Sequence, residues 1–382
     1  MKKARYAAVI CEYNPFHYGH LHQLNAIREK GFLPICILGG NLTQRGGISL
    51  ADKYTRALCA LNAGACLVLE LPIPFCASSA KDFANSGVFI ANAIHTDALA
   101  FSAECDGETL VSLKNEMCSP AFAERFSDIS KTEKDLSYPK RLEYALSLSL
   151  GEEKASLIRK PNNILSLEYL RALENTALSP LILERDTSFL PSSEIRKSGK
   201  REEILSLLPE ESKKVLEKDN SFPRDPKRLD SFFIGNMRKG TESKNIYGVT
   251  DDLYRKIQKN CFEAGTLEEL AEKCADKNYT KARVRRAVMA LVFGFYEKSV
   301  KEAPAYTSVL ACDGNGREFL SEIKGNTEIE ILTKPSGIIK KSKKAQEQFS
   351  LSLRTERIIA LSSESRSEDT TKKSPLIIDR KQ

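Results

Sequence analysis

The amino-acid sequence predicts an α/β protein built on a doubly wound parallel sheet. Short apolar runs alternate with helical patterns from residue 6 to about residue 105, which is the order expected of strand–helix–strand units. Polar residues follow these runs at His17, Asn41, Gln44, Arg45 and Glu104. The motif His17-Tyr18-Gly19-His20 lies at the first junction of strand and helix. Ligands of such Rossmann-like sheets bind at the carboxyl ends of the strands, so these polar residues should converge there.

The expected elements of the sheet follow in order along the chain. Apolar runs predict strands at 6–10, 35–38, 66–71 and 99–101. Apolar residues at helical spacing predict intervening helices over 21–27, 54–61 and 83–93. Residues 108–175 have helical patterns, and a last core strand is expected at 181–183.

A polar break at 197–200 separates this core from the rest of the chain. Residues 201–300 form a mainly helical region, and strands at 309–312 and 329–332 flank a helix in a small C-terminal α/β unit. Residues after about 361 are rich in Ser, Glu and Lys, and we expect them to be disordered. The sequence therefore divides into segments 1–200, 201–300, 301–360 and 361–382.

Composition places the chain among soluble globular proteins. It has 382 residues, of which 41% are hydrophobic and 29% charged. No apolar stretch approaches the ~18 residues of a membrane-spanning helix. The basic N-terminus runs directly into the first strand, which argues against a cleaved signal peptide. We therefore expect a cytoplasmic protein without a membrane partner.

The ten cysteines are scattered in apolar surroundings and include no C-x-x-C pair. This usage favours reduced, buried thiols over a disulfide framework or a zinc site.

The net charge of +7 is concentrated in two basic stretches, residues 277–286 and 340–344. Such stretches can neutralise the phosphates of a nucleic acid, and a solvated helix face is the alternative interpretation.

The motif His17-x-Gly19-His20 predicts a site for attack on the α-phosphate of ATP. The helical pattern from Leu21 places His20 in the first turn of a helix and His17 at its start. Free N–H groups at a helix N-terminus bind anions, and glycine lets a phosphate approach closely. Imidazole N–H groups can stabilise the charge that develops as pyrophosphate leaves. The alternative is that both histidines only cap the helix.

Three further segments could complete such a site. Residues 39–47 form a glycine-rich loop with Gln44 and Arg45 after the second strand. Two amides, Asn162 and Asn163, lie at a predicted helix start, where they could contact a nucleotide or cap the helix. A further helix start offers hydroxyls and a guanidinium for the β- and γ-phosphates, at Ser192, Ser193 and Arg196. Helix capping or turn formation is the alternative for each segment.

The stretch from Ile10 to Leu21 closely resembles the start of the tRNA(Met) cytidine acetate ligase family, a branch of the HIGH-type nucleotidyltransferases. Other segments resemble the same family in the same order, and the resemblance covers residues 6–340. These segments are 40–46, 52–72, 161–165, 279–286 and 332–336. A generic adenylyltransferase would match only the first motif and the Ser-x-x-Ile-Arg element.

The resemblance implies an ATP site at the family's positions. In this chain they are Ile10, Cys11, Glu12, Tyr13, Asn14, Pro15, Phe16, His17, Tyr18, Gly19, His20, Leu21, His22, Gln23, Ser102, Asn162, Arg185 and Asp186. Ser102 stands where the family has a glycine, and Asp186 stands where it has isoleucine. The chain also diverges from the family after Ser336.

The family's reaction activates acetate with ATP and transfers the acetyl group to N4 of the wobble cytidine (C34) of elongator tRNA(Met). We expect His17, His20 and Mg²⁺ to balance charge on the leaving pyrophosphate, with no metal-ligating residues assigned. Gln44, Arg45 and Lys53 are catalytic candidates on the acetate or phosphate side. No stable protein partner is predicted.

The basic helical stretch is the candidate surface for the anticodon arm, through Tyr279, Lys281, Arg283, Arg285 and Arg286. Arg283 and Arg286 are three residues apart, so both could face one phosphate track. Charge reversal of both should then abolish tRNA binding and leave ATP–pyrophosphate exchange intact.

Two other functions stay open from the sequence. One is a nucleotidyltransferase that acts on a small phosphorylated metabolite such as phosphopantetheine. The other is a non-catalytic RNA-binding protein with a vestigial nucleotide fold.

Overall fold

A computed structural model describes residues 4–133, 136, 138–364 and 375–377. Within these residues eight strands form one sheet in the order β5-β4-β1-β2-β3-β6-β7, with β8 beside β6. The strands are β1 (Tyr6–Cys11), β2 (Leu33–Gly39), β3 (Leu67–Leu71), β4 (Ala98–Ala103), β5 (Ser179–Glu184), β6 (Tyr306–Cys312), β7 (Glu330–Leu332) and β8 (Leu376–Ile377).

β1 lies at the centre of five parallel strands. All six of its residues are buried, and it pairs with β2 on one side and β4 on the other. The chain builds β2 and β3 outward on the first side, then β4 and β5 on the second. Because the strand order reverses at β1, a crevice opens at the carboxyl ends of β1, β2 and β4. The predicted doubly wound parallel sheet is confirmed.

Helices cover both faces of the sheet. Leu24 and Ile27 of α1 pack on one face, whereas Phe83 and Val88 of α3 pack on the other. The helices are α1 (Tyr18–Glu29), α2 (Lys53–Asn62), α3 (Ala80–Ala93), α4 (Gly107–Met117), α5 (Pro120–Thr132), α6 (Tyr138–Leu150), α7 (Glu152–Ser156), α8 (Pro161–Leu173), α9 (Ser192–Lys197), α10 (Arg201–Ser206), α11 (Glu210–Leu216), α12 (Asp230–Lys239), α13 (Asp251–Asn260), α14 (Leu267–Cys274), α15 (Lys281–Phe293), α16 (Glu297–Lys301), α17 (Gly314–Glu322) and α18 (Lys343–Ile359).

The helices after residue 200 occupy two places. α11 packs on α2, where the Cys59 thiol lies 4.0 Å from the Ser212 carbonyl oxygen. α12 to α16 form a layer joined to α3 through Asp82, which accepts hydrogen bonds from the Tyr247 hydroxyl and Lys301 Nζ. The helical layer thus begins with α12, whereas α10 and α11 pack on one face of the sheet.

The C-terminal strand–helix–strand pattern is present, and its first strand joins the central sheet. β6 pairs antiparallel with β3, and Thr307 Oγ1 donates to the Glu70 carbonyl oxygen at 2.7 Å. β7 then pairs with β6. The physical reason is that β3 would otherwise be an open edge of the sheet, which β6 covers.

Part of the tail expected to be disordered is ordered. Ala360–Ser362 form a turn of 3-10 helix, and Leu376–Ile377 pair with β6 as β8, where Leu376 packs on the sheet's core. That expectation is therefore wrong for these residues. Residues 365–374 and 378–382, to which it also applied, lie outside the described part of the chain.

All ten cysteines are free thiols, and eight of them are buried. Their burial agrees with the apolar surroundings predicted for these thiols. Among the residues that the structure covers, no helix is both long and apolar enough to cross a membrane.

Candidate active site

His17 and His20 form a reciprocal cap at the start of α1. His17 is the N-cap residue, and its Nδ1 accepts the Gly19 N–H at 3.0 Å. In return, Nδ1 of His20 accepts the His17 N–H at 3.2 Å. The two ring centroids lie 3.8 Å apart. An added Cβ at Gly19 would lie 2.9 Å from His17 Cε1, so a larger residue here would displace the His17 ring from the cap.

The cap fixes the protonation of both rings. Each Nδ1 accepts a hydrogen bond, so a neutral ring must carry its proton on Nε2. Burial, together with Arg185 and Arg196, lowers the pKa of His17 to about 4. Burial, together with His17 and Arg185, lowers the pKa of His20 well below its usual value. The pair therefore presents neutral Nε2–H donors at a helix N-terminus, an arrangement suited to phosphate oxygens.

Arg56 ties the ends of β1 and β2 together. It is among the largest fully buried side chains, and it donates to the carbonyl oxygens of Glu12, Gly39 and Gly40 at 2.5, 3.1 and 2.6 Å. Carbonyls at strand ends need such partners because they lie beyond the sheet's own ladder. Arg56 thus fixes the relative positions of the β1 and β2 ends that line the crevice.

Most side chains of the β1–α1 turn face the core. Ile10, Cys11, Tyr13 and Phe16 are at most 9% exposed, so a ligand in the crevice can meet only their backbone. Tyr13 has a left-handed φ of 46°, which non-glycine residues seldom adopt and which marks a sharply bent turn. Other residues carried over from the family lie outside the core, with Tyr18 and His22 exposed and Glu12, Gly19, His20, Leu21 and Gln23 half-buried.

Arg196 holds the same turn from another side. Its Nη1 donates to the Asn14 carbonyl oxygen at 2.7 Å, and Asn14 Oδ1 accepts the Leu50 N–H at 2.8 Å. The hydroxyl residues predicted beside Arg196 start α9, where Ser192 is half-buried and Ser193 is exposed. Arg196 is thus a support of the crevice as well as a candidate for phosphate.

The glycine-rich loop brings Gln44 and Arg45 to the β2 side of the crevice. The Gln44 N–H donates to Glu12 Oε1 at 2.5 Å, and Gln44 Nε2 donates to the Ser78 carbonyl oxygen at 3.3 Å. Burial raises the pKa of Glu12, although the Gln44 N–H and Arg56 draw it down. Arg45 is exposed and contributes positive charge near Glu12. Arg45 is therefore the cation of this loop that can meet an anionic substrate.

The structure does not bring Lys53 to the crevice as predicted. Its Nζ lies 2.7 Å from carboxylate oxygens of both Glu70 and Glu356, and all three side chains are buried. Burial opposes the charged amine, but the two carboxylates outweigh it and raise the pKa of Lys53. The physical reason is that α18 supplies a buried carboxylate, Glu356, from a distant part of the chain. Lys53 therefore joins α2, β3 and α18.

Glu104, the first residue after β4, is contacted by two side chains expected at the nucleotide. Asn162 Nδ2 donates to Glu104 Oε1, and Arg185 Nη1 lies 4.0 Å from the same oxygen. Asn163 is fully buried, and its Oδ1 accepts the Glu104 N–H at 2.7 Å. Neither asparagine caps α8, whose N-cap is Lys160. The capping alternative is thus wrong for this pair.

Ser102 and Asp186, the two positions expected to differ from the family, have local partners. Ser102 Oγ accepts a hydrogen bond from Gln23 Nε2 at 3.0 Å, which links β4 to α1. Asp186 is exposed, and Ser188 donates to its Oδ1 at 2.8 Å and lowers its pKa. Both residues thus form hydrogen bonds with neighbouring residues of this chain.

The residues expected to bind tRNA form two groups. In the first, the charged groups of Lys281 and Arg283 lie near the surface. Arg283 lies over the Tyr279 ring, 5.0 Å from its centroid, and Lys281 pairs with Glu272 at 2.5 Å. Tyr279 is only 8% exposed, and its hydroxyl bonds to Thr250. Tyr279 therefore supports Arg283 rather than offering a free ring for base stacking.

Arg285 and Arg286 instead contact the crevice loop. Arg286 Nη1 donates to the Gln44 carbonyl oxygen at 3.0 Å, and Arg285 Nε donates to the Arg45 carbonyl oxygen at 3.2 Å. Gly46 makes this approach possible, because an added Cβ would lie 2.7 Å from the Arg286 nitrogen. Arg286 thus points toward the crevice loop, and the alignment of Arg283 and Arg286 along one phosphate track stays a prediction.

Sequence reasoning missed Arg56 and the contact of Arg286 with the crevice loop. It placed Glu104 at the crevice from its position directly after a predicted strand, but not its contacts with Asn162 and Arg185. Arg56 lies inside a helical pattern, and nothing local indicates that it meets two strand ends. No group of three or more metal-ligating side chains occurs within the described ranges.

Comparisons with known proteins agree with this geometry. A sequence profile described as HIGH Nucleotidyl Transferase matches residues 4–374. A protein of Clostridium perfringens named tRNA(Met) cytidine acetate ligase is 31% identical over 361 residues, which cover 86% of this chain and 89% of that protein. One of the same name from Acetivibrio thermocellus is 32% identical, over 87% of this chain and 88% of that protein.

Solved structures confirm the fold. A crystal structure of Thermotoga maritima TmcAL bound with alpha-thio ATP has a TM-score of 0.90 and 24% identity, and covers 98% of this chain and 100% of that one. The apo crystal structure of the same protein has the same TM-score at 25% identity.

The fold and the capped histidine pair define a HIGH nucleotidyl transferase. Within that class, the matches along nearly nine-tenths of the chain show a narrower membership. The chain belongs to the tRNA(Met) cytidine acetate ligase family.

Proposed function

We propose that this chain joins acetate to a tRNA in two steps driven by ATP. Acetate first attacks the α-phosphorus, which forms acetyl-adenylate and releases pyrophosphate. N4 of the wobble cytidine (C34) of elongator tRNA(Met) then attacks the acetyl carbonyl, AMP leaves, and the attacking amine loses a proton to a base. Family membership supports the substrates, and the pair of neutral imidazoles at the α1 N-terminus supports the chemistry.

In the first step the bond from the α-phosphorus to the bridging oxygen breaks. Negative charge then grows on pyrophosphate, next to the Nε2–H groups of His17 and His20. Donors held in place by a cap need no reorganisation as this charge develops. Loss of one such donor costs on the order of 10² to 10³ in rate.

The strand order suggests how the crevice divides between substrates. Ser102, Asn162 and Arg185 lie at the ends of β4 and β5 or on the helix beside them, on one side of β1. Glu12 and Arg45 lie on the β2 side. ATP would occupy the first side, which leaves Arg45 to pair with the acetate carboxylate.

In the second step the cytidine amine must reach the same crevice. A wobble base can be reached only when it is splayed from its neighbours, as in other single-stranded RNA recognition. Lys281 and Arg283 lie on α15, the helix whose Arg285 and Arg286 contact the loop, so they can hold the backbone of the anticodon arm. We propose a cytoplasmic location as well, because the tRNA substrate of this proposal is found there.

Mg²⁺ would enter with the nucleotide rather than at a site built by this chain. The described residues supply no group of three metal ligands, and Mg²⁺ bound to nucleotides is held largely by phosphate oxygens and waters. It would neutralise phosphate charge as part of the substrate.

The proposal is tested by incubating the purified protein with ATP, labelled acetate and bulk tRNA. We expect label in N4-acetylcytidine at the wobble position of elongator tRNA(Met), and acetate-dependent exchange of pyrophosphate into ATP without tRNA. Omission of acetate is the matched control for the exchange.

The same assay separates the alternatives. Pyrophosphate release that requires a phosphorylated metabolite and ignores acetate would favour a small-molecule nucleotidyltransferase. Binding of tRNA without any ATP turnover would favour a vestigial fold.

A further inference from the structure

We propose that Glu104 is the residue that recognises the ribose of the bound nucleotide. This inference rests on the ATP-binding half of the proposed function, and it needs neither acetate nor tRNA. The observation behind it is that Asn162 and Arg185, on two different elements, both approach Oε1 of this one carboxylate.

The backbone of Glu104 is anchored at the end of β4. The Glu104 N–H donates to Asn163 Oδ1, and Asn163 Nδ2 donates in turn to the Leu157 carbonyl oxygen at 3.1 Å. Asn163 is fully buried, so this anchor is shielded from water. The Glu104 side chain is 18% exposed, and its hydrogen bond and ion pair in the described residues involve Oε1. Oε2 is therefore placed to accept a hydrogen bond from a ligand.

Charge decides which part of ATP can meet Glu104. A carboxylate repels the triphosphate, so it must face the uncharged half of the nucleotide, whose hydrogen-bond donors are the ribose hydroxyls and the adenine amine. The position of Arg185 indicates which of these donors lies nearer to Glu104. Its guanidinium is close enough to His17 and His20 to lower the pKa of both, and it also lies 4.0 Å from Glu104 Oε1.

Glu104 is thus separated from the phosphate-binding imidazoles by a single guanidinium. That spacing suits the sugar, which is bonded directly to the α-phosphate, better than the more distant adenine amine. A carboxylate on ribose hydroxyls is also a common solution at the strand ends of dinucleotide-binding sheets.

The test compares nucleotides in the wild-type protein and two variants, Glu104→Ala and Glu104→Gln. Each is measured with ATP, 2′-deoxy-ATP, 3′-deoxy-ATP and purine riboside triphosphate, which lacks the adenine amine. The readouts are direct binding by calorimetry and KM against kcat in acetate-dependent exchange. Glu108→Gln, an exposed carboxylate in the first turn of α4, is the control.

Wild type should bind ATP at least about 10-fold more tightly than one of the two deoxynucleotides, which is typical of a hydrogen bond to a charged group. Glu104→Ala should lower this ratio to near one, and Glu104→Gln should give an intermediate ratio. The effect should appear in KM rather than in kcat. Glu108→Gln should keep the wild-type ratio.

The ratio is taken within one preparation, so partial misfolding of a variant cancels. A wild-type ratio retained in Glu104→Ala, or no preference of the wild type for ribose hydroxyls, would overturn the assignment. Altered discrimination against purine riboside triphosphate alone would show that Glu104 reads adenine instead. If ATP binds with ribose preference but no acetate is activated, the proposed function fails while this inference stands.

Discussion

The two roles assigned to His17 can be separated by replacing it with asparagine and with alanine. Nδ1 of His17 caps α1 through the Gly19 N–H at 3.0 Å, whereas Nε2 is the proposed donor to phosphate. Asparagine supplies a side-chain oxygen that can cap the helix, because it is among the best N-cap residues, but its short amide does not reproduce the Nε2 donor. Alanine supplies neither group.

We expect His17→Ala to lower the free energy of unfolding by about 1 kcal/mol, the usual effect of a lost N-cap, and His17→Asn to stay within a few tenths of wild type. Both should slow acetate-dependent ATP–pyrophosphate exchange by roughly 10² to 10³, as expected for one lost transition-state donor. Stability is measured by urea unfolding and activity by exchange. His95→Asn is the control, since His95 is distant in sequence and its left-handed φ of 59° suits asparagine.

Full exchange activity in His17→Asn would refute the reasoning, because His17 would then act only as a cap. Equal destabilisation by both substitutions would also contradict it, since the cap would not depend on a side-chain acceptor.

Three further outcomes follow from the structure. Because folding lowers the pKa of His17 to about 4, the unfolded chain takes up a proton at this residue at higher pH than the folded chain does. The free energy of unfolding should therefore fall by up to about 3 kcal/mol as the pH drops from about 6.5 to 4. Urea unfolding of His17→Asn should lack this pH-dependent loss. Gly46→Ala should destabilise the protein more than Gly31→Ala. Both glycines have a left-handed φ (+70° and +79°), but an added Cβ at Gly46 would lie 2.7 Å from the Arg286 backbone nitrogen, whereas one at Gly31 would meet open space. Equal effects in thermal unfolding would exclude a steric role for the loop contact. Lys53→Met removes the cation between two buried carboxylates and should cost roughly 3 to 5 kcal/mol in urea unfolding at pH 7, with a smaller cost at acidic pH; a neutral effect would show that the cluster is not a stabilising one.

The parts of the site that could be predicted from the sequence are those with a local pattern. The run from Tyr6 to Cys11 is apolar and precedes a helical pattern, so the position of His17 and His20 at a strand–helix junction follows from adjacent residues. The same holds for the five parallel strands, since each is an apolar run followed by a helix.

The unpredicted parts depend on residues far apart in the chain. Lys53 meets Glu356 across 303 positions, and Arg286 meets Gln44 across 242. β6 joins the sheet antiparallel to β3, although its own pattern only indicates a strand. Such contacts are set by how layers pack, and a lysine or arginine in a helical pattern looks the same whether it meets solvent or a buried partner.

The contact of Arg286 with the crevice loop changes how tRNA binding should be tested. Charge reversal of Arg286 would put a carboxylate beside the Gln44 carbonyl oxygen, which its guanidinium now contacts at 3.0 Å, and the Gln44 N–H holds Glu12. We therefore expect Arg286→Glu to impair both tRNA binding and acetate-dependent exchange. Reversal of Lys281 and Arg283 together should abolish tRNA binding and leave exchange within about 2-fold of wild type, because their contacts are with Glu272 and Tyr279 rather than with the loop. Measuring tRNA affinity and exchange on the same preparations checks this division, and an Arg286→Glu protein with normal exchange would show that the loop keeps its shape without the arginine.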